Sequence, residues 1–316
     1  MTTRRRASPR YWDAGLLKRG ETWHHIRGLR ALRPPLVTDE RAPLFGAALE
    51  QAEQQFRAAE GVPYVSRPLN LFYGLSQAGR AVAAARTPEG EQFTLAGHGI
   101  RQIREDPNNV NPSNFPDFRA KDQPRGAFVR LAEVLDSASL PEGGTMAELW
   151  RGLYEPVLHY PLIVDDSPCM IDVMTEHPPG SGFVYTANIK YEASELENLK
   201  AAYPDIALAA EVRPCRTMRH NDGSELLALN PGIPLRRYRN TPVLMPSIGG
   251  QAKTMHPLLV WWAILHSLSM LARYQPVEWT ALLKIDQSPV ANAIEYLLDV
   301  ALDSVPEVLY DTLRGL

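Results

Sequence analysis

A histidine flanked by two glycines is the residue whose type and setting best fit a chemical function. The motif is Gly97-His98-Gly99. Flanking glycines let the backbone bend and approach a ligand closely, and an imidazole exchanges protons near neutral pH. The alternative is a turn whose imidazole binds a nearby carbonyl group. The sequence favours neither interpretation over the other. His98 is the candidate catalytic and ligand-binding residue.

Two arginines at the ends of apolar helical runs are candidates for the same site. A covered guanidinium must bind an anion or a carbonyl group, so Arg80 and Arg273 could form an anion pocket with His98. The alternative, which is commoner, is that they neutralise helix C-termini. A loop over residues 106–118 is rich in proline and asparagine, which favours turns, and long loops are often functional. Its candidate ligand-binding residues are Asn108, Asn109 and Asn111.

A serine lies in a variant of the hydrolase nucleophile elbow, residues 74–79, GLSQAG. In that elbow a strained turn from a strand into a helix exposes the nucleophile, which here would be Ser76. The preceding residues are predicted to be helical, so the strand is missing. We therefore favour Ser76 as a small residue where two helices cross.

The tetrapeptide Arg236-Arg237-Tyr238-Arg239 combines cations with an aromatic ring, which can bind a nucleic-acid backbone and stack on a base. These four residues are the nucleic-acid candidates. A solvated loop beside Pro234 is the interpretation we favour.

No metal or cofactor is predicted. Histidine and carboxylate clusters occur without a recognised ligand spacing, and the phosphate-binding GxxxxGK[ST] and GxGxxG loops are absent from the sequence. The only two cysteines, Cys169 and Cys215, form no CxxC pair, which favours a reducing compartment and hence a cytoplasmic location.

Composition and charge set broad limits on partners. The 316-residue chain has 45% hydrophobic and 22% charged residues, which is typical of globular proteins. A net charge of -3 gives no overall attraction to nucleic acid, so the partner is unknown and we favour a protein or a second copy of the chain. The most apolar stretch, residues 257–272, is shorter than a bilayer requires, so we expect a core helix and no membrane association.

The periodicity of apolar residues predicts an α+β fold that is mostly helical. Small residues at spacings of three and four in the run 67–86 predict a buried helix at a tight crossing. Further helices are predicted over residues 44–59, 146–154, 194–203, 256–274 and from Ser288 onward, and strands over 182–191, 206–212, 226–229 and 242–245. N- and C-terminal helices are expected to pack in one core with a small mixed β region inserted. The predicted regions are a flexible basic arm (1–15), an N-terminal helical region (16–124), a mixed α/β middle region (125–254) and C-terminal helices that complete the core (255–316).

Three stretches resemble the YaaC-like family: residues 67–81 (RPLNLFYGLSQAGRA), the Gly97-His98-Gly99 motif, and residues 268–276 (LSMLARYQP) with Trp279. The family has no assigned activity, so the resemblance implies a fold and no chemistry. The first stretch is also similar, more loosely, to one helix of the HEPN helical hairpins, many of which are metal-independent ribonucleases with an arginine and a histidine four to six residues apart. Two places match that spacing, Arg19 with His24 or His25, and Arg213 with His220.

Function is left open between two main hypotheses. The first is a non-catalytic binding or regulatory protein, because every catalytic signature fails when its context is considered. The second is a HEPN-like ribonuclease or another enzyme that acts on a phosphate-bearing substrate through His98 and nearby arginines. A serine hydrolase using Ser76 is the third. Whether the protein is an enzyme is not decided by the sequence.

Overall fold

The computed structural model describes residues 19–103, 110–176, 184–219, 223–230 and 232–314. The basic arm predicted over residues 1–15 lies outside them. The helices in this part of the chain are α1 (Arg19–Ala31), α2 (Ala42–Gly61), α3 (Arg67–Arg86), α4 (Ala127–Val134), α5 (Met146–Arg151), α6 (Tyr154–His159), α7 (Leu196–Ala202), α8 (Pro257–Tyr274), α9 (Pro276–Leu282) and α10 (Ala291–Arg314).

Helices from the two ends of the chain share one hydrophobic core, which confirms the predicted mostly helical α+β fold. Phe72 on α3, Trp262 on α8 and Leu298 on α10 are all almost completely buried in it. The apolar stretch predicted to be a core helix is α8, and both its tryptophans are buried. In the described part of the chain, no helix has both the length and the apolar character to cross a membrane.

Glycines allow α3 to approach its neighbours closely. A Cβ atom on Gly79 would lie 2.6 Å from a ring carbon of Trp262 on α8 and 2.8 Å from Leu131 on α4. A Cβ atom on Gly74 would lie 2.7 Å from the ring of Phe56 on α2. Real Cβ atoms do not occur at such distances, so glycine is required at both crossings. The tight crossing predicted from small residues is confirmed.

Two antiparallel sheets lie between the helical parts of the chain. The smaller one has the order β1 (Ile100–Ile103), β2 (Arg119–Asp122), β3 (Gly144–Thr145). The larger one has the order β6-β7-β5-β4-β9-β8, in which the strands are β4 (Ile171–Glu176), β5 (Val184–Lys190), β6 (Val212–Arg219), β7 (Glu225–Leu229), β8 (Arg236–Tyr238) and β9 (Thr241–Leu244). Its register pairs Val173 with Ala187 and Ile171 with Leu244, and these four side chains contribute to a second, smaller core.

Most predicted elements of the middle region are present, but one strand is wrong. The strands predicted near residues 182–191, 226–229 and 242–245 are β5, β7 and β9, and the helix predicted over 194–203 is α7. The strand predicted over 206–212 is instead a 3₁₀ turn, Pro204–Leu208, and the next strand starts at Val212. Pro204 begins the turn, and Asp205 accepts a hydrogen bond from the Thr254 hydroxyl at 2.9 Å. The proline and this hydrogen bond fix a bend in a segment whose apolar composition alone suggests a strand.

A buried ionic cluster attaches the β8–β9 hairpin to the helices. The Arg239 guanidinium donates to both carboxylate oxygens of Glu307 on α10 at 3.0 Å, and it also donates to Glu155 on α6. Glu155 additionally accepts from the hydroxyl of the fully buried Tyr238 at 2.7 Å. One arginine therefore pairs with two carboxylates, of which Glu307 is buried and Glu155 is partly buried.

Substitution Gly79→Ala should lower the free energy of unfolding by about 1–3 kcal/mol, because the added methyl group overlaps the ring of Trp262. Gly46→Ala is the matched control, since Gly46 also lies inside a helix but has open space where a Cβ atom would stand. The control should be neutral or stabilising by up to about 1 kcal/mol. Equal effects of the two substitutions in urea denaturation would contradict the close approach of α3 and α8.

Substitution Arg239→Met should destabilise the protein by about 3–5 kcal/mol, because it leaves the buried Glu307 and the partly buried Glu155 without their cation. Burial already raises the pKa of Glu307, against the opposing effect of Arg239. Loss of the arginine raises that pKa further. A carboxyl group whose pKa is higher in the folded than in the unfolded state destabilises the fold as the pH rises and it ionises. The destabilisation caused by Arg239→Met should therefore be larger at about pH 8 than at about pH 5.5.

The control for this substitution is Arg30→Met, which removes an exposed ion pair with Glu50 and should cost about 0–1 kcal/mol. Denaturant unfolding at the two pH values measures both variants. A penalty for Arg239→Met that is small and independent of pH would show that the cluster is not the attachment of the hairpin.

Candidate functional site

Helices α3 and α8 each present a polar residue pair on one face. Tyr73 and Arg80 are seven residues apart on α3, and His266 and Arg273 are seven residues apart on α8. Seven residues make almost two turns of an α-helix, so each pair shares a face. Because α3 and α8 cross at Gly79 and Trp262, the two pairs are held beside the same crossing.

The turn that carries His98 is fixed by its backbone. Gly97 and Gly99 have φ angles of 59° and 72°, which L side chains adopt rarely. The carbonyl group of His98 accepts from the Phe128 amide at 3.1 Å, and that of Ala96 accepts from the Ala127 amide at 3.1 Å. The turn therefore supplies acceptors for the first amide groups of α4.

A contact between Gly99 and Gly126 places this turn directly against the start of α4. A Cβ atom on Gly126, the residue before the helix, would lie 2.0 Å from the Cα atom of Gly99. Neither residue can carry a side chain in this arrangement. The glycines around His98 thus explain both the bend and the contact with α4, whereas the imidazole is needed for neither.

The His98 imidazole points into the crossing of α3 and α8. Its ring centroid lies 5.0 Å from that of Phe72 and 5.7 Å from that of His266. The Nδ1 atoms of both histidines are buried, and neither has a hydrogen-bond partner among the residues that the structure describes. The alternative interpretation, in which the His98 imidazole forms a hydrogen bond with a nearby carbonyl group, is therefore not observed at Nδ1.

Burial and positive charge keep both histidines neutral. Burial lowers the pKa of His98, and the charges of Arg273 and Arg80 lower it further. Burial lowers the pKa of His266, which is 3% exposed, to about 3, with smaller contributions from His98 and Arg273. Both imidazoles are therefore uncharged at neutral pH and can accept a proton or a hydrogen bond.

The two arginines of the site have no carboxylate partner in the described part of the chain. Arg273 donates to the Tyr73 hydroxyl, and its guanidinium lies 5.3 Å from the Tyr73 ring centroid. The Nε atom of Arg80 is buried and, within the described residues, has no acceptor. The cluster of Arg80, His98, His266 and Arg273, here called the His98 cluster, thus carries two positive charges that no acidic side chain balances.

The C-terminus of α3 is neutralised by a different arginine. Buried Arg41 donates to the carbonyl groups of Ala84, Thr87 and Pro88, at 2.9 Å in the case of Pro88. Arg80 lies two turns before the end of the helix, and its charge acts on His98 instead. The helix-terminus interpretation of Arg80 is therefore not what the structure shows.

A model of the YaaC-like Protein family matches residues 38–313. The chain belongs to the YaaC-like family. The matched range contains every residue of the His98 cluster. The comparisons with curated proteins and with solved structures find no match.

Each of the three stretches that resemble the YaaC-like family contributes to the His98 cluster. The first provides Arg80, the glycine-flanked motif provides His98, and the third provides Arg273. Other residues of these stretches are structural. Arg67 forms an ion pair with Asp299 on α10, and the indole of Trp279 donates to the carbonyl group of Val65 at 2.9 Å.

Two of the remaining candidates have local settings that differ from the predicted ones. Ser76 lies in the middle of α3 and is 8% exposed, so the strand-to-helix turn of a nucleophile elbow is not present around it. The side-chain oxygen of Asn111 accepts from the amides of Ser113 and Asn114 within its own loop. Asn108 and Asn109 lie outside the described residues.

The tetrapeptide proposed for nucleic acid forms β8 and the turn after it, not a solvated loop. Tyr238 and Arg239 belong to the buried ionic cluster, and Arg236 donates to the carbonyl groups of Leu135 and Asp136. Arg237 is exposed and donates to Asn240. In this conformation the tetrapeptide presents no exposed aromatic ring.

The arginine–histidine pairs suggested by the HEPN resemblance involve other elements of the fold. Arg19, His24 and His25 lie on α1, where the His25 ring is 5.5 Å from that of Tyr310. Arg213 lies on a strand, β6, and His220 lies outside the described residues.

His266, Tyr73 and Tyr274 were not predicted as members or neighbours of the site. His266 lies in a stretch predicted only as a core helix, although its spacing of seven from Arg273 matches that of Tyr73 from Arg80. This shared spacing is the signal that could have identified both pairs.

Substitution Arg80→Gln should raise the pKa of His98 toward its ordinary value, because a positive charge that opposes protonation is removed. Arg273→Gln should raise the pKa of both His98 and His266. Proton NMR of the imidazole signals as a function of pH measures these changes. Arg101→Gln, an exposed arginine of β1, is the control and should leave both values unchanged; unchanged values in all three variants would contradict the coupling.

Proposed function

We propose that this YaaC-like protein binds a phosphate-bearing ligand at the His98 cluster, as a binding or regulatory protein without turnover. The observation that carries the proposal is the pair of arginines, Arg80 on α3 and Arg273 on α8, which lie on the two crossing helices beside His98 and have no carboxylate partner among the described residues, where the buried Nε atom of Arg80 also has no acceptor. A phosphate group would supply the missing negative charge, and guanidinium groups bind phosphate oxygens with two parallel hydrogen bonds.

Other arginines of the chain differ from Arg80 and Arg273 in their hydrogen-bond and ion-pair partners. Many are paired with carboxylates, among them Arg27, Arg30, Arg33, Arg57, Arg67, Arg130, Arg151 and Arg239. Others donate to backbone carbonyl groups, as Arg41 and Arg86 do. Within the described residues Arg80 and Arg273 have neither kind of partner, and the buried Nε atom of Arg80, which has no acceptor there, is the costly one to maintain without a ligand.

The neutral histidines suit the same ligand. Burial lowers the pKa of His98, and repulsion between a protonated imidazole and the two arginines lowers it further. A bound phosphate reverses this effect, because its negative charge favours the imidazolium form. Ligand binding should therefore be coupled to proton uptake by His98.

A second candidate function is acid–base catalysis on a phosphate ester, either a HEPN-like ribonuclease or another enzyme. It is favoured by one feature, the buried and unpartnered Nδ1 atom of a histidine that is neutral at physiological pH and lies beside two cations. A neutral imidazole can remove a proton from an attacking hydroxyl group, and arginines can stabilise the charge that develops on phosphorus-bound oxygens.

Location and macromolecular partners also remain proposals. A cytoplasmic location is supported by Cys169 and Cys215, which are not joined by a disulfide bond. A protein partner or a second copy of the chain is still favoured over nucleic acid as the macromolecular partner, on the grounds of net charge.

Inorganic pyrophosphate should bind the wild-type protein and shift the NMR signals of His98 and His266, with a rise in the pKa of His98. Arg80→Gln and Arg273→Gln should each weaken binding by about tenfold or more, since a charge-assisted hydrogen bond contributes about 1.5–3 kcal/mol. Arg101→Gln should bind like the wild type. Titration calorimetry provides the affinities.

Two results would count against the proposal. The first is the absence of any shift at His98 at millimolar pyrophosphate, and the second is an undiminished affinity in the two site variants. Turnover of a nitrophenyl phosphate ester in the same preparations, lost in His98→Ala while pyrophosphate still binds, would move the function to the second candidate.

A further inference from the structure

An exposed aromatic pair lies next to the His98 cluster. Tyr274, the last residue of α8, is 61% exposed, and Tyr73 on α3 is 40% exposed. The Arg273 guanidinium lies 5.3 Å from the Tyr73 ring centroid and 5.6 Å from that of Tyr274. The two rings and the cation between them, here called the tyrosine platform, therefore form a single exposed surface.

The platform is ordered by its own contacts. Arg273 donates to the Tyr73 hydroxyl, and hydrogen bonding with Tyr274 and then with Tyr73 raises the pKa of the guanidinium. Cation–ring contacts of this kind fix the orientation of rings that are otherwise free to rotate in solvent. The rings are thus positioned although they are not buried.

The platform and the His98 cluster are physically continuous. Arg273 belongs to both, because its charge also acts on His98 and His266. A second connection runs through rings, since Phe72 lies 6.3 Å from Tyr73 and 5.0 Å from His98. A ligand that binds the cations of the cluster would therefore have an aromatic surface directly beside it.

We propose that the ligand of the His98 cluster is a nucleotide, whose phosphate binds Arg80 and Arg273 and whose base stacks on the tyrosine platform. This inference rests on the proposed binding of phosphate. Among the described residues no carboxylate pairs with the two arginines, so an anion would complete the cluster, and exposed tyrosine rings beside an arginine are side chains on which a nucleobase can stack. A phosphate group on a sugar or on a peptide serine would satisfy the arginines and leave the platform unused.

Titration calorimetry with AMP and ribose 5-phosphate separates the base from the phosphate. AMP should bind about tenfold more tightly or better, because stacking on an aromatic side chain adds to the phosphate contact. Tyr274→Ala should lower the affinity for AMP by a larger factor than the affinity for ribose 5-phosphate, because only AMP loses its stacking surface, whereas both compounds share any effect on Arg273. Tyr274→Phe should keep the preference for AMP, since the ring remains and only the hydroxyl is lost.

Tyr160→Ala is the matched control for loss of an exposed tyrosine. Tyr160 is 42% exposed and lies after α6, where it contacts Tyr296 and not the platform. This variant should bind AMP like the wild type. Thermal unfolding of each variant checks that the fold is intact, which the exposure of Tyr274 leads us to expect.

The outcomes distinguish the inference from the function on which it depends. Equal affinities for AMP and ribose 5-phosphate, each with a shift at His98, would overturn the nucleotide inference and keep phosphate binding. No shift at His98 with either compound would overturn both. If the inference holds, a single-stranded oligoadenylate that binds more tightly than AMP identifies a nucleotide within a strand as the source, whereas equal affinity identifies the free nucleotide.

Discussion

The close approach of helix backbones around α3 is the constraint on which the rest of the structure depends. This helix is buried over most of its surface, and glycine allows α2 and α8 to come within contact of its backbone at Gly74 and Gly79. Larger residues there would force the helices apart. Because Tyr73 and Arg80 lie on either side of the crossing with α8, the separation of the helices also sets the separation of the chemical groups. The fold and the candidate site therefore rest on the same packing contact.

The electrostatics of the His98 cluster follow from the same burial. Removing an imidazole from water disfavours its charged form, and nearby guanidinium groups add to that effect. The buried cluster around Arg239 shows the opposite balance, in which one cation compensates two carboxylates. Among the described residues, the Arg239 cluster therefore contains both a cation and carboxylates, whereas the His98 cluster contains cations without a carboxylate partner.

The helical frame could be predicted from the sequence because apolar periodicity and small-residue spacing are local signals. Helices α2, α3, α8 and α10 follow directly from them. The strands β1, β2, β3, β4, β6 and β8 were not predicted. Four of them, β1, β2, β3 and β8, have only two to four residues, and β6 is interrupted by Pro214, which an edge strand tolerates. Pairing with distant strands, which no local pattern records, determines these elements.

The site was predicted in part for a similar reason. Histidine between glycines and arginine at the end of an apolar run are local features, so His98, Arg80 and Arg273 were identified. Their convergence depends on the crossing angle of α3 and α8 and on the contact between Gly99 and Gly126, which are tertiary facts. The tetrapeptide of Arg236 to Arg239 shows the reverse case. Its composition is typical of nucleic-acid binding, but Tyr238 and Arg239 attach the β8–β9 hairpin to the helices.

The turn that carries His98 also serves as the N-terminal cap of α4, and this has a consequence for the dynamics of the site. Moving the turn would leave the amides of Ala127 and Phe128 without their acceptors, at a cost of about 1–3 kcal/mol for each. The backbone of His98 is therefore fixed by the fold itself. If the proposed ligand binds there, ordering of this turn adds no entropic cost to the binding.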